Sequence, residues 1–290
     1  MMKNFRANQD FLLATDLASE TNRAFGRAVK IASSLTATLH IVHVCPLYSF
    51  SNKKEQIITV KQDAENMIKT VLAATQGVKK IQMSITVIEG GEVFAEIINH
   101  TEKVKAGLIV MGMHRKDKLR DMFVGTTIER IIRKGIKPVL MVRDKPLNNY
   151  KNVLVGMDYS QGSQQAFHLA LELAPKSVFH LIHSYRYIAG HMPKYMDVVL
   201  ADLAREKLEK FFHKNKRVLE KYKVPSKNFH FSQVKGGPYS CLIHEAAKVK
   251  SELIALGTHS NMSLMPYKLG GTASDILSTP PCDVLIAKGL

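Results

Sequence analysis

Cysteine is scarce in this chain. Its 290 residues include only Cys45, Cys241 and Cys282, widely separated, odd in number and without a Cys-x-x-Cys pair. That pattern excludes a disulfide framework or zinc knuckle and fits a reducing compartment. No apolar run approaches the roughly 18 residues of a membrane span. The opening MMKNFRANQD is polar and lacks the apolar core of a signal peptide. The expectation is a soluble, cytoplasmic protein with no membrane partner. Signatures of turnover are missing as well. There is no Gly-x-Ser-x-Gly elbow, no thiol signature around Cys241 or Cys282, and no His-x-Gly-His turn or Ser-Gly-Gly loop. No residue is assigned a catalytic role.

Acidic side chains are outnumbered, 25 Asp+Glu against 41 Lys+Arg, for a net charge of +16. Such an excess invites a nucleic-acid reading. The excess is spread over both halves, with 23 basic and 14 acidic residues in 1–149 and 18 and 11 in 150–290. Much of it alternates with acids at helical spacing, as in VKQDAENMIKTV and LAREKLEKFFHKNKRVLEKY, which is how solvated helix faces read. Aromatic-and-basic alternation of the RNA-binding kind is absent. Sequence-specific nucleic-acid binding is not expected.

What the chain does have is an internal repeat. GLIVMGMHR (107–115) lies beside ELIALGTHS (252–260), and KPVLMVR beside CDVLIAK. Gly112 and Gly257, Gly125 and Gly270, and Val139 and Val284 are each 145 positions apart. FLLATDLASETNRAF matches VLVGMDYSQGSQQAF, setting Asp16 against Asp158, and TLHIVHV matches VFHLIHS. Two copies make two domains, 1–147 and 148–290, joined through the Pro- and Asn-bearing RDKPLNNYKN. In each copy short apolar runs (DFLLAT, TLHIVHV, MSITVI, LIVMG, PVLMV; then NVLVGM, FHLIHS, FHFSQV, ELIALG, VLIA) alternate with amphipathic stretches. The runs read as strands buried on both faces. The fold class is therefore α/β: two tandem doubly wound, Rossmann-like domains, each with a five-stranded, mostly parallel sheet.

In such sheets ligands sit beyond the carboxyl ends of the strands. The segment VMGMHRKDKLRDMFVGTTIERII (110–132) falls at that place. Gly112 ends a strand, and Gly125-Thr126 opens a helix in which Thr126 and Glu129 have capping-box spacing. A helix start suits a phosphate. Spacing alone is better matched by a capped helix after a basic loop. The known nucleotide fingerprints, Gly-x-Gly-x-x-Gly and Gly-x-x-x-x-Gly-Lys-[Ser/Thr], do not occur here. Asp16 and Asp158 could meet an adenine amino group or a ribose hydroxyl, and the plainer role is as N-caps.

Taken together these residues resemble the universal stress protein family, in its tandem form. The likeness rests on a first strand ending in Asp (ATD, GMD), a second with a histidine-containing end (HIVHV, HLIHS), an -IVMG-/-IALG- strand and a closing PVLMV or DVLIA in each copy. The resemblance implies a stress-response module binding an adenine nucleotide (ATP, ADP or AMP, with or without Mg²⁺) through a G-x2-G-x9-G-[ST] loop. The first copy supplies Gly112, Gly125 and Thr126, with Arg115 at the second glycine position. The second supplies Gly257 and Gly270, with Ser260 and Gly271 departing from the pattern. Asp16 and Asp158 map to the adenine side, as do the backbones of Val44 and Ser184. A side chain at a left-handed glycine position costs about 1–3 kcal/mol, which Arg115 could offset by pairing with phosphate. Ser260 has no such compensation, so the first domain is the expected site. A scaffold or signalling partner without nucleotide, or a weak ATPase, is the alternative.

The family likeness also implies an intramolecular pseudo-dimer through the closing strands, with a homodimer of whole chains open. No metal site is expected. His40 and His43, like His180 and His183, lie three apart on one strand and so on opposite faces, which leaves His183 and His191 as the nearest approach to a pair. The irregular LYSFSNKKEQ and YRYIAGHMPKYM read as mobile surface loops, with lids or docking surfaces as the second reading.

Overall fold

The computed structural model describes residues 10–17, 22–45, 53–74, 81–113, 126–135, 137–143, 148–185, 195–258 and 269–289. Arg115, Gly125, Ser260 and His191, most of the two irregular loops, and residues 144–147 of the linker lie outside these residues. The chain divides into two units, Met1–Asn149 with Cys282–Val284 and Tyr150–Pro281 with Leu285–Leu290.

The first unit contains β1 (Phe11–Ala14), α1 (Asn22–Leu35), β2 (Leu39–Cys45), α2 (Lys53–Ala74), β3 (Met83–Glu89), α3 (Val93–Lys103), β4 (Leu108–Gly112), α4 (Thr127–Lys134) and β5 (Val139–Val142). Its strands run in the order β3-β2-β1-β4-β5, and β1–β2, β1–β4, β2–β3 and β4–β5 are all parallel. FLLA and VLMV are buried at every position, as strands covered by helices on both faces must be. The short α4 shows why a sequence makes a helix here. Ile128, Ile131 and Ile132 are buried at 3–4 spacing, and the chain stops at Gly135 in the left-handed conformation, φ 61°.

The second unit repeats the plan with β6 (Asn152–Gly156), α5 (Gln161–Leu173), β7 (Val178–Tyr185), α6 (Tyr195–Tyr222), β8 (Phe229–Lys235), α7 (Pro238–Lys248), β9 (Leu253–Gly257), α8 (Gly271–Ser278) and β10 (Asp283–Ala287). The order is β10-β9-β6-β7-β8, with β6–β7, β6–β9 and β7–β8 parallel. Aromatic rings seat α5 and α6 on the sheet. Phe167 lies 5.2 Å from Phe211, 6.1 Å from Phe229 and 6.2 Å from Phe179. Burying each such ring contributes roughly 1.5–3 kcal/mol.

One expectation about the strands is corrected. MSITVI and FHFSQV are not buried on both faces, because β3 and β8 are half-buried to exposed along their lengths. Both are terminal in their unit's order. An outer strand has a neighbour on one side only, so polar residues such as Ser84 and His230 are tolerated there.

Candidate functional site

The order of strands reverses between β1 and β4 in the first unit and between β6 and β9 in the second, which is where a doubly wound sheet opens a crevice. Three features meet there in each copy: the loop after the first strand, an overhang of the second, and a glycine ending the fourth.

The loop is held by a histidine. His43 Nδ1 lies 2.8 Å from the Thr15 carbonyl oxygen, and His183 Nδ1 lies 2.7 Å from that of Met157. A carbonyl only accepts, so Nδ1 donates and Nε2 of the neutral ring is left as the acceptor. The strand ladder adds Thr15 N to Val42 O at 3.0 Å and Met157 N to Ile182 O at 2.8 Å. Next come Asp16 and Asp158, both exposed. Leu17 and Tyr159 follow in the left-handed region, at φ 63° and 61°. Neither is glycine, so the backbone is strained at the same point of both copies. Leu17 N donates to Thr15 Oγ1 at 3.0 Å, and Ser160 N donates to Asp158 Oδ1 at 2.9 Å.

The N-cap reading of Asp158 is therefore corrected. The cap of α5 is Ser160, whose hydroxyl accepts from Ser163 N at 3.2 Å. Asp158 turns the chain into that cap through an Asx turn, which serves a short carboxylate two residues before a helix. The spacing Asp-x-Ser before QGSQQAF was the available signal. Tyr159 fills the space beside the second loop, its ring 5.2 Å from His183 and 6.3 Å from Phe211. Burial pushes its phenol up to about 12, and among the described residues its hydroxyl has no hydrogen-bond partner.

The overhang is the second shared feature. The last register partner of β2 in β1 is Val42, opposite Ala14, yet β2 continues to Cys45. Likewise β7 continues to Tyr185 beyond Ile182, its partner to Gly156 in β6. Val44 and Ser184 lie on these projecting ends, buried and half-buried respectively. They pair in register with Ile88 and Val234 on the outer side. On the inner side each overhang presents strand backbone, the kind of edge that offers N–H and C=O groups to a partner.

The glycines behave differently from one another. Gly112 ends β4 opposite Val142, and Met113 N then bonds Val142 O at 2.9 Å. Thr126 caps α4, its hydroxyl accepting from Glu129 N at 3.2 Å, while the Glu129 carboxylate takes the Arg133 guanidinium at 2.8 Å. In the second unit Gly257 is fixed by packing. A Cβ there would stand 2.6 Å from both the Gly162 carbonyl carbon and Ser163 N. Gly270 caps α8 and donates its N–H to Thr258 O at 2.9 Å, and a Cβ on it would meet that same oxygen at 2.9 Å. Gly271 faces open space, with nothing within 4 Å of a built Cβ.

A strand-order reversal, an exposed aspartate, a projecting strand edge and a glycine ending the fourth strand recur in both α/β units. A sequence profile of the Universal stress protein family matches residues 8–143 and again 149–288. The chain belongs to the universal stress protein family, as a tandem member. It is similar to universal stress protein E of Salmonella typhi and of Escherichia coli K12, each 22% identical with 97% of this chain and 94% of the relative covered. Among solved structures, a universal stress protein from Archaeoglobus fulgidus matches with TM-score 0.67 at 18% identity, covering 99% of this chain and 100% of that one. One from Pseudomonas aeruginosa matches at 0.65 and 17%, covering 97% and 94%. Among the described residues no helix is long and apolar enough to cross a membrane.

Proposed function

We propose that the chain is a cytoplasmic stress-response module that binds one adenine nucleotide, in its first unit. The observation that carries this reading is the first strand-end loop. His43 fixes Thr15, which leaves Asp16 exposed beside the β2 overhang at Val44. The aspartate and the strand edge suit the exocyclic amine and ring nitrogens of a purine, or a ribose hydroxyl. Across the crevice the chain leaves β4 at Gly112 and re-enters a helix at Thr126, and a helix start favours phosphate. Arg115 and Gly125 belong by sequence to this connection, outside the described residues, and are proposed to meet the phosphates. Mg²⁺ would enter with the phosphates, since no protein group is assigned to it.

The second unit is proposed to be degenerate. Its Gly257 and Gly270 are both accounted for by backbone packing, and Ser260 and Gly271 depart from the phosphate-loop pattern. That observation favours a scaffold role for this half. Hydrolysis is not proposed.

Calorimetric titration of ATP, ADP and AMP into the full chain tests the reading, alongside Asp16→Ala, Gly125→Asp and Gly271→Asp. Binding of one nucleotide per chain, weakened in the first two variants and unchanged in the third, is the expected result. No binding at millimolar nucleotide would replace the proposal with the scaffold reading.

A further inference from the structure

A pair of imidazoles faces one side of the second unit's sheet, away from the crevice. His180 on β7 and His230 on β8 are register partners. Their rings stack with centroids 5.2 Å apart and planes 20° from parallel. Directly opposed residues on adjacent strands put their side chains within mutual reach. His230 is exposed and His180 half-buried, so a small ion has access from solvent. Among the described residues neither ring has a hydrogen-bond partner, so ring nitrogens are available to a ligand. Burial, and then the neighbouring His230, makes His180 harder to protonate than an ordinary histidine, with the Glu245 carboxylate acting the other way. Glu245 is buried on α7 and pairs with Lys248 at 3.3 Å.

The first unit uses the corresponding place differently. His40 on β2 is opposite Ser84, with Nδ1 2.7 Å from the Ser84 hydroxyl and Nε2 3.3 Å from Asp10 Oδ2. This register pair holds one imidazole, with both nitrogens engaged, and the second nearby imidazole, His100, comes from α3 and not from the neighbouring strand.

We propose that His180 and His230 form a two-imidazole site for a divalent first-row transition ion such as Zn²⁺ or Ni²⁺. Neutral imidazole is a preferred ligand of both ions. Rotation about χ2, which is broad for histidine, brings one nitrogen of each ring to a common point. Among the described residues no three His, Cys, Asp or Glu side chains are grouped to hold a metal. The remaining coordination positions are therefore filled by water, and the ion is exchangeable rather than structural. The site lies in the amino-terminal half of β7 (Val178–Tyr185), at the opposite end of the strand from His183 and the crevice, so it stands or falls independently of nucleotide binding.

The test titrates Zn²⁺ calorimetrically into the chelator-treated full chain and into His180→Ala, His230→Ala and His40→Ala. One Zn²⁺ whose affinity falls at least tenfold in His180→Ala and in His230→Ala, and is unchanged in His40→Ala, is the expected result. Because His230 is exposed, His230→Ala should melt as the parent does, and His230→Gln repeats the measurement if it does not. Equal Zn²⁺ affinity in parent and His230 variants, or no Zn²⁺ binding by the parent, overturns the proposal.

Discussion

His183 Nδ1 and the Met157 carbonyl oxygen are 2.7 Å apart, and the same bond joins His43 to Thr15 at 2.8 Å in the other copy. Each ties the second strand to the loop that leaves the first, one residue before the exposed aspartate. His43→Ala should cost about 0.5–1.5 kcal/mol, the usual contribution of one hydrogen bond, and weaken nucleotide binding because Asp16 is no longer held. His183→Ala should show a similar stability loss with nucleotide affinity unchanged. Urea unfolding and calorimetry on both variants decide the matter, and equal losses of affinity would refute the assignment of the ligand to the first unit.

The second-unit glycines should separate cleanly in a stability assay. Gly257→Ala places a methyl 2.6 Å from backbone atoms of Gly162 and Ser163, and overpacking of this kind costs about 1–3 kcal/mol. Gly271→Ala meets nothing within 4 Å and should be neutral or stabilise by about 0.5–1 kcal/mol, since alanine loses less entropy on folding. Thermal melts of the two variants check this, and a destabilised Gly271→Ala would contradict the open space seen there.

Removing the Thr126 cap should be felt at α4. Its hydroxyl accepts from Glu129 N, and loss of such a cap costs about 1 kcal/mol. Thr126→Ala should lower the urea midpoint, and Thr126→Ser should recover it. If serine fails to rescue, the methyl rather than the hydroxyl matters.

A pH dependence is expected from Glu172 on α5. Burial raises its carboxyl to about 7, against the smaller opposing effects of Lys221 and a hydrogen bond from Tyr222. Among the described residues its Oε1 has no partner. The folded pKa exceeds the unfolded value of 4.5, so from pH 4.5 to about 7 the folded state binds the extra proton. This group's contribution is full below pH 4.5, declines through that window and is lost above it. Glu172→Gln, which carries no charge, should flatten the decline and raise the melting temperature at pH 8 relative to the parent. Parallel melting-versus-pH curves for the two proteins would rule this out.

The repeat, the ten strands and their mostly parallel arrangement are legible because aliphatic runs such as LIVMG and VLIA leave little choice of structure. The N-cap reading of Asp158 fails because a carboxylate before a helix can cap it or turn into it, and Ser160 two residues later takes the cap. The strain at Leu17 and Tyr159 left no trace in the sequence, since neither residue is typical of left-handed backbone. No spacing along a single strand pairs His180 with His230. Their meeting depends on register between β7 and β8, which sequence spacing does not encode.

The fit of Gly257 against the first turn of α5 bears on how many ligands such a protein carries. A glycine demanded by helix-on-strand packing persists after a binding site has lapsed, because any replacement damages the fold itself. Motif glycines therefore report the architecture of a duplicated domain and not its occupancy. On the proposed function, stoichiometry turns instead on Arg115, Ser260 and Gly271, the positions where the two copies depart from the family's loop pattern.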